Sequence, residues 1–236
     1  MNKKNYLRRL MAIYIAFFAV LLISFVLDVV PNFQRGIDEG IEMGTELSEV
    51  IDEPKPRSIY MLWNIPIRRS EPIEIATNDP ERTIKGYIST LSCEVSELLN
   101  EKRDVMQIAF AAIGNSPWIY ALMILSALIF PVIIVLMFLI IRSVRNSIRE
   151  EQPLGAANAV LLRSIALLTI ASELFGEVGM WLMSRRAAEV LAGTGYTVDA
   201  AFHFDYGVLV MGILLLFAAE VFKIGRDMSE EQRLTI

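Results

Sequence analysis

Hydrophobic positions in this chain gather into long runs. LMAIYIAFFAVLLISFVLDVV at 10–30 carries no charge before Asp28, and WIYALMILSALIFPVIIVLMFLII at 118–141 carries none. AVLLRSIALLTIASELFGEVGMWLM at 159–183 is interrupted by Arg163, Glu173 and Glu177, and YGVLVMGILLLFAAEVF at 206–222 by Glu220. About 20 apolar residues in a helix cross the hydrocarbon of a bilayer, where only a helix or a closed barrel pairs all its own backbone groups. The pattern therefore predicts an all-α integral membrane protein with four transmembrane helices. The expected layout is a cytoplasmic N-terminus and first helix (1–30), then a small α+β extracytoplasmic cap between helices one and two (31–116). The second helix and its cytoplasmic extension follow (117–149), then a cytoplasmic connection and third helix (150–183). An outer loop (184–205) leads into the fourth helix and a cytoplasmic tail (206–236).

Within the expected cap, Ile37, Ile41, Leu47 and Ile51 recur at roughly helical spacing, so a helix should run on from the first span, weakened by Gly36, Gly40 and Gly44. PKPRS breaks that pattern. SIYMLWNIPI and PIEIAT gather β-formers between prolines and read as two short strands. From Pro80 to Ile113, Ile84, Ile88, Leu91, Val95, Leu98 and Leu99 fall on one helical stripe and predict a long amphipathic helix leading into the second span. Ser116 as N-cap and Pro117 at the first helical position mark the joint.

Two cytoplasmic exits resemble each other. Aligned on Glu-Glu-Gln, Ile141, Val144, Ile148 and Leu154 match Val221, Ile224, Met228 and Leu234, and the first three of each set share a helix face. Both spans should continue as amphipathic helices. The plain reading of the acids is a solvated helix end. The sharper one is a paired platform for a partner, built from Glu150, Glu151, Gln152, Glu230, Glu231, Gln232 and Leu234.

Composition supports this picture. The chain is 54% hydrophobic, with a mean hydropathy of +0.47. A net charge of −5 and a pI near 5.1 argue against direct nucleic-acid binding, which needs a basic stripe to displace counterions. Lys3, Lys4, Arg8 and Arg9 precede the first run, but no small-x-small pattern follows it, so it is not read as a cleaved signal. These cations place the N-terminus in the cytoplasm, and four spans return the C-terminus there with Lys223, Arg226 and Arg233. Arg185 and Arg186, just outside the third span, are the exception among short-loop cations. Cys93, the lone cysteine, excludes an intramolecular disulfide.

Charged residues inside a membrane are costly and usually paired. Arg163 and Glu220 lie at similar depth in an antiparallel hairpin and should form an intramembrane ion pair. Glu173 and Glu177, at i and i+4, share one helix face and have no intramembrane cation left to them. They form a candidate polar pathway for protons or cations. A helix tilted toward the outer surface, with Glu177 meeting His203 or Tyr206, accounts for them more simply. His203, in AFHFDYG, reads as part of an interfacial aromatic belt. There is no P-loop, His-Glu-x-x-His, Gly-x-Ser-x-Gly or metal-spaced cluster. No catalytic residue, cofactor or metal ligand is expected.

From residue 140 onward the chain resembles the bacterial four-span family known as domain of unknown function 2975. The resemblance rests on Gln152, Pro153 and Leu154, then Asn158, Leu162 and Arg163, and on the closing Glu220, Phe222, Gly225, Glu230, Glu231, Gln232, Leu234, Thr235 and Ile236. Leu154 stands where an aromatic is more usual. The resemblance implies no catalytic residues, and it implies genomic company with a short Cro/C1-type helix-turn-helix regulator. The expected function is a non-enzymatic sensor or anchor of the bacterial inner membrane that holds such a regulator at its cytoplasmic face. The alternative is a transporter or ion-pathway subunit using Glu173 and Glu177. Small-xxx-small spacing at Gly36, Gly40 and Gly44 is compatible with a homodimer, although outside the bilayer the motif is weak evidence.

Overall fold

The computed structural model describes residues 3–51, 57–69, 73–75, 84–98, 105–150 and 156–234. Six α-helices carry most of them: α1 (Lys3–Ser24), α2 (Val30–Ile51), α3 (Val105–Phe110), α4 (Pro117–Glu150), α5 (Ala156–Val190) and α6 (Tyr206–Leu234). Five strands complete the fold: β1 (Arg57–Arg69), β2 (Ile73–Ile75), β3 (Ile84–Gly86), β4 (Thr90–Leu98) and β5 (Tyr196–Val198). Among the described residues three helical stretches are long and apolar enough to cross a membrane: Pro117–Ser147, Ala157–Val190 and Tyr206–Arg226. The apolar part of the first run is shorter, Tyr14–Leu27.

The chain does not break where the first run ends. A π-helical turn, Phe25–Val29, joins α1 to α2. Pro31 explains it, because proline has no N–H to donate and its ring collides with the carbonyl four residues back, so the helix widens by one residue and continues. Pro131 likewise sits inside α4 without ending it.

The residues fall into two compact units, the first made of Met1–Glu42, Ala127–Glu173 and Asp205–Ile236. Within it α5 and α6 approach closely at Gly212. Ile165, Ala166 and Ala219 are buried there, and a Cβ added to Gly212 would stand 2.5 Å from Ile170 Cγ1 and 3.5 Å from the Ala166 carbonyl. Small side chains let the two backbones approach closely, which replaces the hydrophobic drive that is missing between helices in lipid. On α1 and α4, Phe18 meets Phe138 edge-on, with ring centres 6.2 Å apart.

The second unit comprises Met43–Ser126 and Leu174–Phe204. Its sheet is antiparallel, in the order β4-β1-β5, and β2 pairs separately with β3. β1 is the central strand and is covered on both faces, with Ser58, Tyr60, Leu62 and Ile65 fully buried. Between Leu62 and Ile65 the register slips by a bulge. Asn64 takes the left-handed turn there at φ 50°, and its N–H donates to Ser92 Oγ at 3.0 Å. Tyr60, Leu62, Ile65 and Ile67 join Ile113 and Ile119 and, from α5, Met183 and Ala187 in one core.

Two expectations are overturned here. The stripe from Ile84 to Leu98 is not a long amphipathic helix: it forms β3 and β4, and among the described residues of this stretch only Val105–Phe110 is helical, Leu99 lying outside them. A spacing of four fits a strand as well as a helix, since four is a multiple of two. The residue between decides: Cys93, midway from Leu91 to Val95, shares their half-buried face, as strand alternation requires. The loop expected over 184–205 is shorter, because α5 runs on to Val190 and β5 then pairs Val198 with Ile67.

Candidate functional site

In the second unit a polar cluster is built on β1, β4, the turn before α4, and α5. Alternation along β4 turns Glu97 to the same face as Leu91, Cys93 and Val95. Opposite it, the helix that outlasts its apolar run brings Arg186. The Arg186 Nη2 group lies 2.8 Å from Glu97 Oε2 and 3.1 Å from Oε1, while Nη1 donates to Glu189 at 3.0 Å. The Tyr60 hydroxyl donates to Glu97 Oε1 at 2.8 Å. Asn115 Nδ2 donates to Oε2 at 3.3 Å, and its own Oδ1 accepts from Ser58 Oγ at 3.3 Å. One carboxylate thus gathers donors from three other segments.

The electrostatics follow from burial. Removal from water, and then the hydrogen bond to Glu97, push the Tyr60 hydroxyl up to about 12, against the opposing pull of Arg186. Tyr60 therefore serves as a neutral donor. Arg186 and Glu97 keep 31% and 35% of their side chains exposed, so this is a partly screened bridge. Asn115 holds φ at 52° beside Gly114 at 63°. Two left-handed residues in succession swing the chain into α4 and aim the Asn115 amide at Glu97.

In the first unit Arg163 of α5 and Glu220 of α6 form an ion pair, with 45% and 49% of their side chains exposed. Facing outward from apolar helices, each depends on the other for neutralisation. Glu173 accepts the backbone N–H of Asp205 at 3.1 Å, just before α6. Asp205 in turn caps that helix, its Oδ1 accepting from the Gly207 and Val208 N–H groups. The sequence expectation gave Glu177 the contact to this segment, whereas Glu173 makes the hydrogen bond to Asp205; Glu177 is half-buried and has a partner of its own. In the second unit His203 is exposed between Phe202, which meets Trp181 edge-on at 6.2 Å, and Phe204. Arg185 lies over the Trp181 ring at 5.0 Å.

Of the candidate partner-binding residues, Glu151 and Gln152 lie outside the described residues, as do the side chains of Glu150, Glu230, Gln232 and Leu234. Glu231 is exposed and has a partner. The stripe that leads to it, Val221, Ile224 and Met228, is 51%, 57% and 57% exposed. Near the start of α5, Asn158 is buried, and among the described residues neither of its side-chain polar atoms finds a hydrogen-bond partner. Cys93 is a free, half-buried thiol whose pKa is raised by burial. Among the described residues no group of three His, Cys, Asp or Glu side chains is placed to hold a metal.

Sequence reasoning missed the cluster around Glu97. The available signal was Arg186 itself, a cation at the wrong end of a span by the loop-charge rule, which called for a local anion.

These features define a mostly helical protein with three membrane-length helices and a small β-sheet, compatible with a multi-pass membrane protein. Residues 84–236 match the family described as Protein of unknown function (DUF2975), and the chain belongs to that family. No curated protein and no solved structure matches the chain. The match begins at β3, well before the motifs at the C-terminal end. It takes in Glu97, Asn115 and Arg186 and leaves out β1 with Ser58 and Tyr60.

Proposed function

We propose that the protein is a non-enzymatic sensor or anchor of the bacterial inner membrane. In this reading it has four spans, the run at 10–30 being the first, with both termini cytoplasmic. The sheet and its neighbours form the extracytoplasmic cap. The observation that carries the proposal is the fastening of β1 and β4 to α4 and α5 by the Glu97 cluster and the shared core. A change at the sheet would be felt directly by two helices of membrane length.

At the cytoplasmic end, the stripe Val221, Ile224 and Met228 offers apolar contact area next to acids. A small Cro/C1-type helix-turn-helix regulator, basic where it meets DNA, suits such a surface, and family resemblance points to the same company. The reading in which Glu173 and Glu177 serve an ion pathway has less behind it, because Glu173 is engaged in positioning the chain before α6.

The test is co-purification of the neighbouring regulator from solubilised membranes. The comparison is between the intact protein and a variant with Glu150, Glu151, Glu230 and Glu231 all changed to Gln. Recovery with the intact protein and loss with the variant in moderate salt is expected. No recovery with the intact protein refutes the partner, and equal recovery refutes the charge argument. Reporters after Ile236 and near Asp79 should lie on opposite sides of the membrane.

A further inference from the structure

Among the described residues, helix α2 carries an exposed, uncharged face. It is 22 residues long, about 33 Å at 1.5 Å per residue. At roughly 100° per residue, its charged positions, Arg35, Asp38, Glu39, Glu42, Glu46 and Glu49, all fall within an arc of about 100°. The remaining arc carries no charge, and apart from Asn32 and Gln34 it is apolar or small. There Phe33, Ile37 and Ile41, four apart, make a ridge, and they are 67%, 45% and 64% exposed. Beside it Gly36, Gly40 and Gly44, also four apart, make a groove, where an added Cβ meets nothing within 4 Å.

We propose that this face pairs with the same face of a second copy of the chain. Ridge and groove are adjacent rows of one pitch, so a two-fold axis lays the ridge of each copy in the groove of the other. Glycines set the backbone close enough for the ridge to seat. The charge distribution selects this occupant. Five acids against one Arg repel an anionic membrane surface, to which helices bind through Lys and Arg on their polar face. A basic protein partner would seek the acidic arc and leave ridge and groove unfilled. Two identical helices joined through the uncharged arc keep their acids far apart on the outside.

The area limits the affinity. From Phe33 to Gly44 the ridge and groove run about 18 Å, so a strip about 10 Å wide on each copy buries roughly 360 Å² in total, far below the ~1,200 Å² of stable interfaces between free proteins. Pairing of this size needs the copies held at raised effective concentration, which insertion of the membrane-length helices supplies. The dimer is therefore a property of the protein in its membrane, and to that extent the inference rests on the membrane reading.

The test is disulfide trapping of the full chain in native membranes, in a Cys93→Ser background. Ile37→Cys and Gly40→Cys should link on mild oxidation about tenfold more than Glu39→Cys and Glu42→Cys on the charged arc. Adding Gly40→Leu to Ile37→Cys fills the groove and should cut the linked fraction by about tenfold, the effect of losing roughly 1.4 kcal/mol of pairing, whereas adding Glu42→Leu should not. Equal trapping from both arcs, no trapping from either, or indifference to Gly40→Leu overturns the proposal. Unchanged tryptophan fluorescence of the variants shows that they fold. Recovery of the protein in the membrane fraction tests membrane insertion separately. Were the protein found outside membranes, that reading would fail while the contrast between arcs still decided the pairing.

Discussion

Breaking the Arg186–Glu97 bridge measures how firmly the sheet is fastened to α5. The perturbation is a double-mutant cycle from Glu97→Gln, Arg186→Met and the pair together. Fully buried pairs lose about 3–5 kcal/mol when one partner is removed, and exposed pairs are worth about 0–1 kcal/mol. With 31% and 35% of the side chains exposed, this bridge sits between those limits. Arg186→Met leaves the carboxylate with Tyr60 and Asn115, so part of its hydrogen bonding survives. A single-mutant loss of about 2–3 kcal/mol and a coupling of about 1.5 kcal/mol are expected. The assay is reversible denaturation in detergent micelles followed by tryptophan fluorescence. It is selective, because all three tryptophans, Trp63, Trp118 and Trp181, belong to the second unit. A coupling within about 0.5 kcal/mol of zero would place the bridge among ordinary surface pairs and remove the claim that it fastens the sheet.

Tyr60, with its hydroxyl raised to about 12, is held neutral by the fold, so its contribution is complete below pH ~10 and is lost as pH rises toward 12. Roughly 2–3 kcal/mol of alkaline destabilisation should disappear in Tyr60→Phe, read as the difference between the two proteins' denaturation midpoints across that window. Gly114→Ala sets a methyl 2.8 Å from Ile119 Cδ1 at a backbone φ of 63°. It should cost about 1–2 kcal/mol in the same fluorescence assay. Gly212→Leu drives a side chain into Ile170 and should lower thermal stability by about 1–3 kcal/mol, whereas Gly225→Ala, in open space, should not. Cys93, raised by burial, should be alkylated more slowly at neutral pH than a thiol introduced at the exposed Tyr87, as mass spectrometry of timed samples would record.

The helices were legible because their signal is long and repeated. The run at 118–141 has no competing interpretation, and Pro117 does start α4. Strand β1 was legible through the β-formers of SIYMLWNIPI, although it extends to both sides of them. β4 was not, because Leu91 and Val95 satisfy both periods and only Cys93 and Glu97 between and beyond them carry the strand alternation. Three residues, Tyr196–Val198, are too few to show any period, so β5 exists only because β1 offers it an edge. The Glu97 cluster joins residues up to 126 positions apart in sequence, and no local pattern encodes such a meeting. Arg163 and Glu220 were easier, since apolar surroundings made each charge conspicuous.

The pairing of β1 with β5 fixes a timetable for synthesis. Ile67 is made long before its partner Val198, with the whole of α4 and α5 translated in between. At about 5–20 residues per second, β1 waits on the order of 10 s with that edge open. The wait is partly covered, because Met61 on β1 bonds to the chain at Ala112 and Gly114, which arrives much sooner. The Ile67 N–H has an early partner in the Ser89 carbonyl, 3.0 Å away, which leaves Arg68 and Arg69 to wait for Thr197 and Tyr196. Charge on an open strand discourages a neighbouring nascent chain from adding to it. Arg68 later finds Asp199, 3.5 Å away, beside the strand that closes the sheet.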